Sequence, residues 1–508
     1  MAVVIGSGIV FLDGTVVNVA LIAIGEQLPA SLVGVLEGQS YIVNGYLLTL
    51  SALLILAGAL ADAFGRRRML VLGLAGFGAA SLACGLAPSM EILILSRLVQ
   101  GCFGALLVPT SLAIITATFD QAERGRAIGI WAAATSAMFV AGPAIGGILV
   151  DSLGWRMVFL INVPLVLAGV AIALRWVMES RDEEAGSRFD WLGAAVIAVA
   201  VGGLVYGAIR GQEQRWTDLS AWVALAVGAV AAAGVVPLML WRRNPLIPPS
   251  LFRSRNFTVT NLSTFLVYGA LYVVLVYQAI YLQGTLGYTA LAGGLATLPI
   301  GLGLALLSTS FGHLAGRLGP RRFMAVGPAI MALGLLWYLR IPASSEPWLA
   351  RGDDPATLLP GAGYLVDVLP AILGMAIGMS MLVAPLTTAL MSSVPVRNSG
   401  LASAINNAIS RIGPLLAGAV IFMGITASFY GSLEARLPQL DTGSAEVRET
   451  FPPLNPISAA ASTAQIQAAT EAGTDAFRLA MLLSAILAGA GAAVNAVGIR
   501  NPESPAEG

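Results

Sequence analysis

Gly58-Ala-Leu-Ala-Asp62-Ala-Phe-Gly65-Arg66-Arg67 returns late in the chain as Gly312-His-Leu-Ala-Gly316-Arg-Leu-Gly319-Pro-Arg321. Each copy closes an apolar run of about 20 residues, the length that crosses a hydrocarbon core as a helix. A second echo confirms the repeat: Arg126, Gly129, Gly142, Pro143 and Gly147 fall on Arg397, Gly400, Gly413, Pro414 and Gly418 at one constant offset. Two copies of a six-helix unit follow, with a shorter stretch inserted between them.

The composition says what surrounds these runs. The 508 residues are 57% hydrophobic and 11% charged, far below the roughly 25% charge of a soluble domain. Such a chain needs lipid as its solvent, and in lipid only helices or a closed barrel satisfy the backbone. The runs are too long for barrel strands, so the fold class is an all-α membrane protein. Spans are predicted at about 2–24, 41–61, 69–87, 91–117, 126–150, 156–177 and 190–210, then 219–241, 257–283, 290–315, 322–341, 363–391, 397–425 and 475–497, fourteen in all. Three regions result: a six-helix bundle over 1–188, two inserted helices over 189–245, and a second six-helix bundle over 246–508 carrying a long loop at 428–474. That loop is rich in Pro, Ser, Thr and Ala and reads as external and partly disordered.

Charge orients the chain. It has no lysine, so all 27 basic residues are arginines. Loops after even-numbered helices, among them Arg66, Arg67, Arg68, Arg321, Arg322 and Arg397, outnumber the opposite loops in arginine by roughly two to one, which places both termini in the cytoplasm. The N-terminus enters its first apolar run without a basic segment or cleavage site, and reads as a spanning helix. A formal net charge of zero offers nothing to nucleic acid. Cys84 and Cys102 lie within apolar runs and suggest neither a disulfide framework nor a metal site. A phosphate-binding loop of the Gly-x-x-x-x-Gly-Lys type is excluded by the lack of lysine, so no cofactor is implied and the energy must come from an ion or substrate gradient.

Four segments in order carry a resemblance: Leu12-Asp-Gly-Thr-Val-Val-Asn-Val-Ala-Leu21, Gly58 to Arg67, Arg97-Leu-Val-Gln-Gly101, and Gly142-Pro-Ala-Ile-Gly-Gly147. Trp155-Arg-Met-Val-Phe-Leu-Ile-Asn-Val-Pro164 adds a fifth. The chain resembles the major facilitator superfamily, specifically its fourteen-helix drug:proton antiporters of the EmrB/QacA type, over essentially its whole length. The resemblance implies the major facilitator fold and alternating access, with two bundles rocking about a site near the bilayer midplane.

Candidate chemistry concentrates in the first copy. Asp13 sits eleven residues into helix 1, about 16 Å deep in a core about 30 Å thick. A carboxylate there is costly and is by default a functional site, able to take up and release a proton and placed to attract a cation. Its alternative is a carboxylate held permanently by a neighbour. Arg97, inside helix 4, must face a cavity or a partner; the resemblance implicates it in proton coupling, and Gln100 shares its face. Gly58, Asp62, Gly65, Arg66 and Arg67 correspond to the family's conformational latch, in which the acid meets arginines and the start of a helix in the other half. Here Ala63 replaces the usual basic residue and Gly316 replaces the second acid, so a weaker, one-sided latch is expected. Gly142 and Pro143 are expected to break the ladder of helix 5, and Gly146 and Gly147 to permit close helix approach; in the family this segment marks antiporters.

Pocket candidates follow from helical spacing: Trp131, Thr135 and Phe139 on helix 5, Tyr268 and Tyr272 on helix 9, and Ser403, Asn407 and Arg411 on helix 13, with Gln278 adding a polar group to helix 9. His313, the one histidine, lies at the second latch copy and reads as structural. The expected function is proton-coupled efflux of hydrophobic compounds, cationic ones included, by a monomer in a bacterial cytoplasmic membrane, with an envelope adaptor as a conceivable partner. The competing reading is a dedicated exporter of one antibiotic, lipid, siderophore or other metabolite. A membrane enzyme would need clustered His, Asp, Glu or Cys at depth, and a sensor would need a soluble output domain. Neither is found.

Overall fold

The structure, a computed structural model, describes residues 1–29, 35–181, 189–213, 218–351, 354–444, 447, 450–455, 457 and 461–501. Among these no strand occurs, and helices carry the fold. They are α1 (Ala2–Gln27), α2 (Val35–Phe64), α3 (Arg66–Gly85), α4 (Met90–Thr118), α5 (Gln121–Leu153), α6 (Met157–Leu160), α7 (Asn162–Trp176), α8 (Trp191–Glu213), α9 (Leu219–Trp241), α10 (Arg255–Ile280), α11 (Ala290–Leu318), α12 (Pro320–Trp337), α13 (Leu369–Ser392), α14 (Ser399–Arg436) and α15 (Thr463–Gly498). Thirteen described helical segments are long and apolar enough to span a membrane. The 33-residue α5, packed between α1 and α11, completes the predicted set.

Helix starts are written in the loops. The side chains of Ser89, Asp120, Ser254 and Thr289 each accept the backbone N–H three residues on, at the starts of α4, α5, α10 and α11. Ser462 and Gln465 form a reciprocal capping box at α15, which satisfies donors that the first turn leaves free.

Two boundaries differ from the sequence expectation, each for a local reason. The sixth predicted span divides at Ile161 into α6 and α7. Pro164 has no N–H for the Leu160 carbonyl, so the ladder opens there. The loop expected over 428–474 is shorter, because α14 runs on to Arg436 and α15 begins at Thr463. Arg436 holds the two extensions together by pairing with Glu471 and Asp475, each at 2.9 Å. Parts of that loop, and the chain around the boundary expected at 188, fall outside the described residues. Finally, α5 stays helical through Gly142 to Gly147, so the ladder bond that Pro143 cannot make is lost without ending or dividing the helix; the side chain of Pro143 lies outside those described.

Burial separates the two ends of the molecule. One apolar cluster joins both halves at the arginine-rich end, with Leu54, Ile55, Ala59 and Ile128 of the first packed with Leu390, Met391, Leu401 and Ile405 of the second. Toward the opposite end the halves have separate cores. Val16, Ile24, Ile42, Met90 and Trp155 form one, and Tyr281, Tyr338, Trp348, Phe429 and Phe477 belong to another. The two bundles therefore meet at one end only, among the described residues. The inserted pair, α8 and α9, pack on each other, with α8 against α2 and α14. Helix α9 keeps Val230, Val236 and Leu240 more than 60% exposed, as expected of a lipid-facing helix.

Candidate functional site: a buried ion pair and an interface latch

Asp13 on α1 is completely buried, and five other elements supply its surroundings. Arg97 Nη1 on α4 lies 2.5 Å from Asp13 Oδ2 and 2.7 Å from Gln100 Oε1. Arg97 Nε donates to the Ile42 carbonyl of α2 at 3.0 Å. Gln100 Nε2 donates to Asp13 Oδ1 at 3.1 Å and to Ser81 Oγ of α3 at 2.7 Å. Asn162 of α7 donates to the same two acceptors, each at 3.0 Å. The opening at Ile161 places Asn162 at the first position of α7, facing this carboxylate. The guanidinium carbon also lies over two aromatic rings, 4.1 Å from the Tyr46 centroid and 5.7 Å from that of Phe159.

Such a network stabilises charge where water does not reach. A buried ion pair survives only when its remaining lone pairs and donors are also satisfied. Here Asp13 accepts three side-chain hydrogen bonds, and Arg97 gives three. Asp13 is thus the one anionic acceptor among the three groups that Arg97 donates to, the others being a backbone carbonyl and an amide.

The residues expected to form a latch sit at the arginine-rich end. Asp62 of α2 accepts the Gly400 and Leu401 amides at 3.2 and 2.9 Å, at the N-terminus of α14. This is where the helix dipole favours an anion. Arg66 pairs with Asp62 at 2.8 Å and donates to the Val396 carbonyl at 2.6 Å. Gly58 makes the approach possible: a Cβ there would lie 2.4 Å from the Gly400 carbonyl oxygen. Gly65 turns the chain at φ 112°, a conformation that favours glycine. Behind it, Glu179 accepts the Arg67 and Arg68 amides and caps α3.

The second copy mirrors the backbone and lacks the charge. Gly125 and Gly129 of α5 lie against Gly312 and Thr309 of α11, a Cβ at either glycine coming within 3.4 Å of its neighbour. At Gly316, where the first copy has Asp62, nothing lies within 4 Å of an added Cβ. The two contacts are related as the repeat relates Gly58 to Gly312, but only the first is ionic. His313 is exposed on α11.

The glycines of α5 act one turn above Asp13. A Cβ at Gly142 would fall 1.9 Å from Thr15 Oγ1, and one at Gly146 2.8 Å from the Val16 carbonyl oxygen, whereas Gly147 meets nothing within 4 Å. Gly142 and Gly146 thus seat α5 directly on α1, and Gly147 takes no part.

The pocket candidates divide. Tyr268 and Tyr272 are half-buried and exposed on α10, their rings 6.4 Å apart. Phe139 is exposed, and Arg411 is half-buried on α14. Trp131 and Thr135 are buried near the closed end, where Thr135 bonds back to its own helix. Ser403 is fully buried and holds Asn407 at 2.9 Å through its carbonyl. Gln278 lies inside the second-half core, accepting the Tyr338 hydroxyl at 3.0 Å, so the structure does not bring it to the interface. Sequence reasoning missed Asn162, Ser81 and Tyr46. Asn162 stood within a quoted segment, as a polar residue amid apolar ones; Ser81 and Tyr46 gave no signal.

A profile described as the Major Facilitator Superfamily matches residues 3–418. The chain belongs to that superfamily. It is 34% identical over 85% of its length to the multidrug resistance protein Stp of Mycobacterium tuberculosis, covering 76% of that protein. It is 32% identical over 87% of its length to the tetracenomycin C resistance and export protein of Streptomyces glaucescens, covering 79% of it. The fold resembles the proton:xylose symporter XylE, with a TM-score of 0.55 at 15% identity, covering 97% of this chain and 93% of that one. The human organic anion transporter MFSD10 matches with a TM-score of 0.53 at 15% identity, covering 95% and 98%. Major facilitators are secondary transporters, and this multi-pass superfamily member is a transporter and not an enzyme.

Proposed function

We propose that the chain is a proton-coupled exporter of hydrophobic compounds in a bacterial cytoplasmic membrane. The observation that carries this reading is the fully buried Asp13–Arg97 pair, with Gln100, Ser81 and Asn162 completing its hydrogen bonds. A carboxylate at membrane depth whose partner has alternative acceptors suits a proton relay. The names of the relatives, which concern drug and antibiotic resistance and export, support the direction of transport.

With the arginine-rich end in the cytoplasm, the termini are cytoplasmic and the contact between Asp62 and α14 closes the cytoplasmic side. The conformation is then the outward-facing one, from which substrate leaves and a proton enters. Protonation of Asp13 releases Arg97, the first half repacks, and the latch at Asp62 opens to admit the next substrate. Tyr268, Tyr272, Phe139 and Arg411 stand at the faces where the halves diverge and serve as its walls.

The test is dye efflux from proteoliposomes with and without an imposed proton gradient. Gradient-dependent efflux in the wild type, abolished in Asp13→Asn, is the expected result; efflux indifferent to the gradient would overturn coupling. The relative named for tetracenomycin C favours a second reading, a dedicated exporter of one product, which a panel of unrelated dyes separates from broad export.

A further inference from the structure

Arg411 has no counter-charge. It lies twelve residues into α14, about 18 Å along the helix from its arginine-rich end, and the side chains that act on it electrostatically are the phenols of Tyr272 and Tyr46. Among the described residues no carboxylate pairs with it. A guanidinium at this depth is expensive to keep and marks a binding site by default. The other midplane charges cancel, because Asp13 is already neutralised by Arg97 at 2.5 Å. Among the described residues, the central region therefore carries a net positive charge, and no free carboxylate is left there to attract a cation.

A second observation points to the same place. Tyr46 of α2 is 1% exposed, and its hydroxyl has no hydrogen-bond partner. Its ring covers Arg97 at 4.1 Å, and it lies within electrostatic reach of Asp13 and Arg97 on one side and Arg411 on the other. A buried phenol without a partner on α2, and a cation without a partner on α14, the helix packed against α2, are two donors awaiting an acceptor. Tyr272, 38% exposed on α10, supplies an aromatic face, so the three residues draw on both halves.

We propose that Arg411 and the Tyr46 hydroxyl form the anchor for the anionic group of an amphipathic substrate, a carboxylate or ionised phenol whose apolar body lies against Tyr272. This rests on the export reading above and specifies its substrate class. A planar guanidinium forks to a carboxylate with two parallel bonds, which the three donors of a lysine reproduce poorly. Because the Tyr46 ring also covers Arg97, an anion bound at Arg411 sits one side chain from the proton site.

The test uses the full-length protein in nanodiscs of neutral lipid and two xanthene dyes of similar shape, fluorescein as the anion and rhodamine 123 as the cation. Binding is read by fluorescence anisotropy, which needs no gradient. Wild type is expected to bind fluorescein at least about tenfold more tightly than rhodamine 123, a difference set by charge. Arg411→Gln should erase that preference without lowering the melting temperature, Arg411→Lys should keep part of it, and Tyr46→Phe should weaken fluorescein alone by several fold. Equal or tighter binding of rhodamine 123 by the wild type, or fluorescein binding unchanged in both Arg411→Gln and Tyr46→Phe, overturns the proposal. Fluorescein binding that depends on Arg411, together with flux that ignores the gradient, would sink proton-coupled export and leave the anchor standing.

Discussion

The Thr15 hydroxyl of α1 lies 3.1 Å from the Phe139 carbonyl of α5. Pro143 follows Phe139 by four residues and has no N–H, so this carbonyl lacks its helical donor. Thr15 stands equally near its own Leu12 carbonyl, but that oxygen already has a helical partner in the Val16 amide. The orphan therefore takes the proton, and a bond between helices replaces the one that proline removed. Thr15→Val, nearly isosteric, should leave Phe139 unbonded and cost about 1–3 kcal/mol, while Thr15→Ser should restore the wild-type melting temperature. Equal stability of all three proteins in detergent would show that water or α1 itself serves the carbonyl.

The adjacent glycines give a sharper contrast. A methyl at Gly142 would sit 1.9 Å from Thr15 Oγ1, and one at Gly147 would touch nothing within 4 Å. Gly142→Ala should push α5 off α1 beside Asp13 and reduce gradient-driven efflux by at least about tenfold, whereas Gly147→Ala should transport normally; steric cost of this kind is felt even for one methyl group. Matched transport in the two variants would refute the seating of α5 described here.

Closure at the arginine-rich end is predicted to depend on Asp62 and Gly58. Ser399 is fully buried there, so a Ser399→Cys reporter should resist a membrane-impermeant maleimide. Adding Asp62→Asn removes the charge that the α14 N-terminus and Arg66 both require, and Gly58→Val drives a side chain into the Gly400 backbone. Either change should raise labelling several fold, corresponding to about 1 kcal/mol in the balance between conformations. The buried Cys84 and half-buried Cys102, present in every variant, set the background. Unchanged labelling in both variants would place closure elsewhere.

How much of this could be read in advance depended on whether a residue acted through its own helix or through a distant one. Helix number, the repeat, the depth of Asp13 and the spacing of Arg97 and Gln100 are periodic or composition-driven features, and the sequence states them directly. Asn162 reaches Asp13 because a helix opens at Ile161, and Tyr46 covers Arg97 because α2 crosses α4; these depend on packing between segments far apart in the chain. Gln278 shows the converse error. It lies six residues past Tyr272, about one and two-thirds turns of α10, and so faces the second-half core, where Tyr338 claims it.

Arg97→Lys should fail although it keeps the charge. Arg97 uses Nε toward Ile42 and Nη1 toward both Asp13 and Gln100, a fork that one ammonium cannot span. Efflux driven by a proton gradient should fall by at least about tenfold, a loss of about 1.4 kcal/mol or more in the limiting step. Normal transport by Arg97→Lys would reduce the arginine to a structural tie between α1, α2 and α4.

Asp13→Asn separates the two roles of the carboxylate. An amide in its place keeps the Asn162 and Gln100 contacts in part, yet leaves Arg97 without its counter-ion, and breaking a buried pair in this way costs about 3–5 kcal/mol. The single variant should therefore melt earlier and lose all dependence of efflux on the proton gradient. Replacing both partners, as Asp13→Asn with Arg97→Gln, removes the uncompensated charge and should recover most of the melting temperature. If the pair is only a structural tie between helices, with neither partner needed for coupling, the repaired double variant will regain gradient-driven efflux along with its stability. If Asp13 carries the proton, stability returns and coupling does not, because no group left in the network has a proton to exchange at neutral pH.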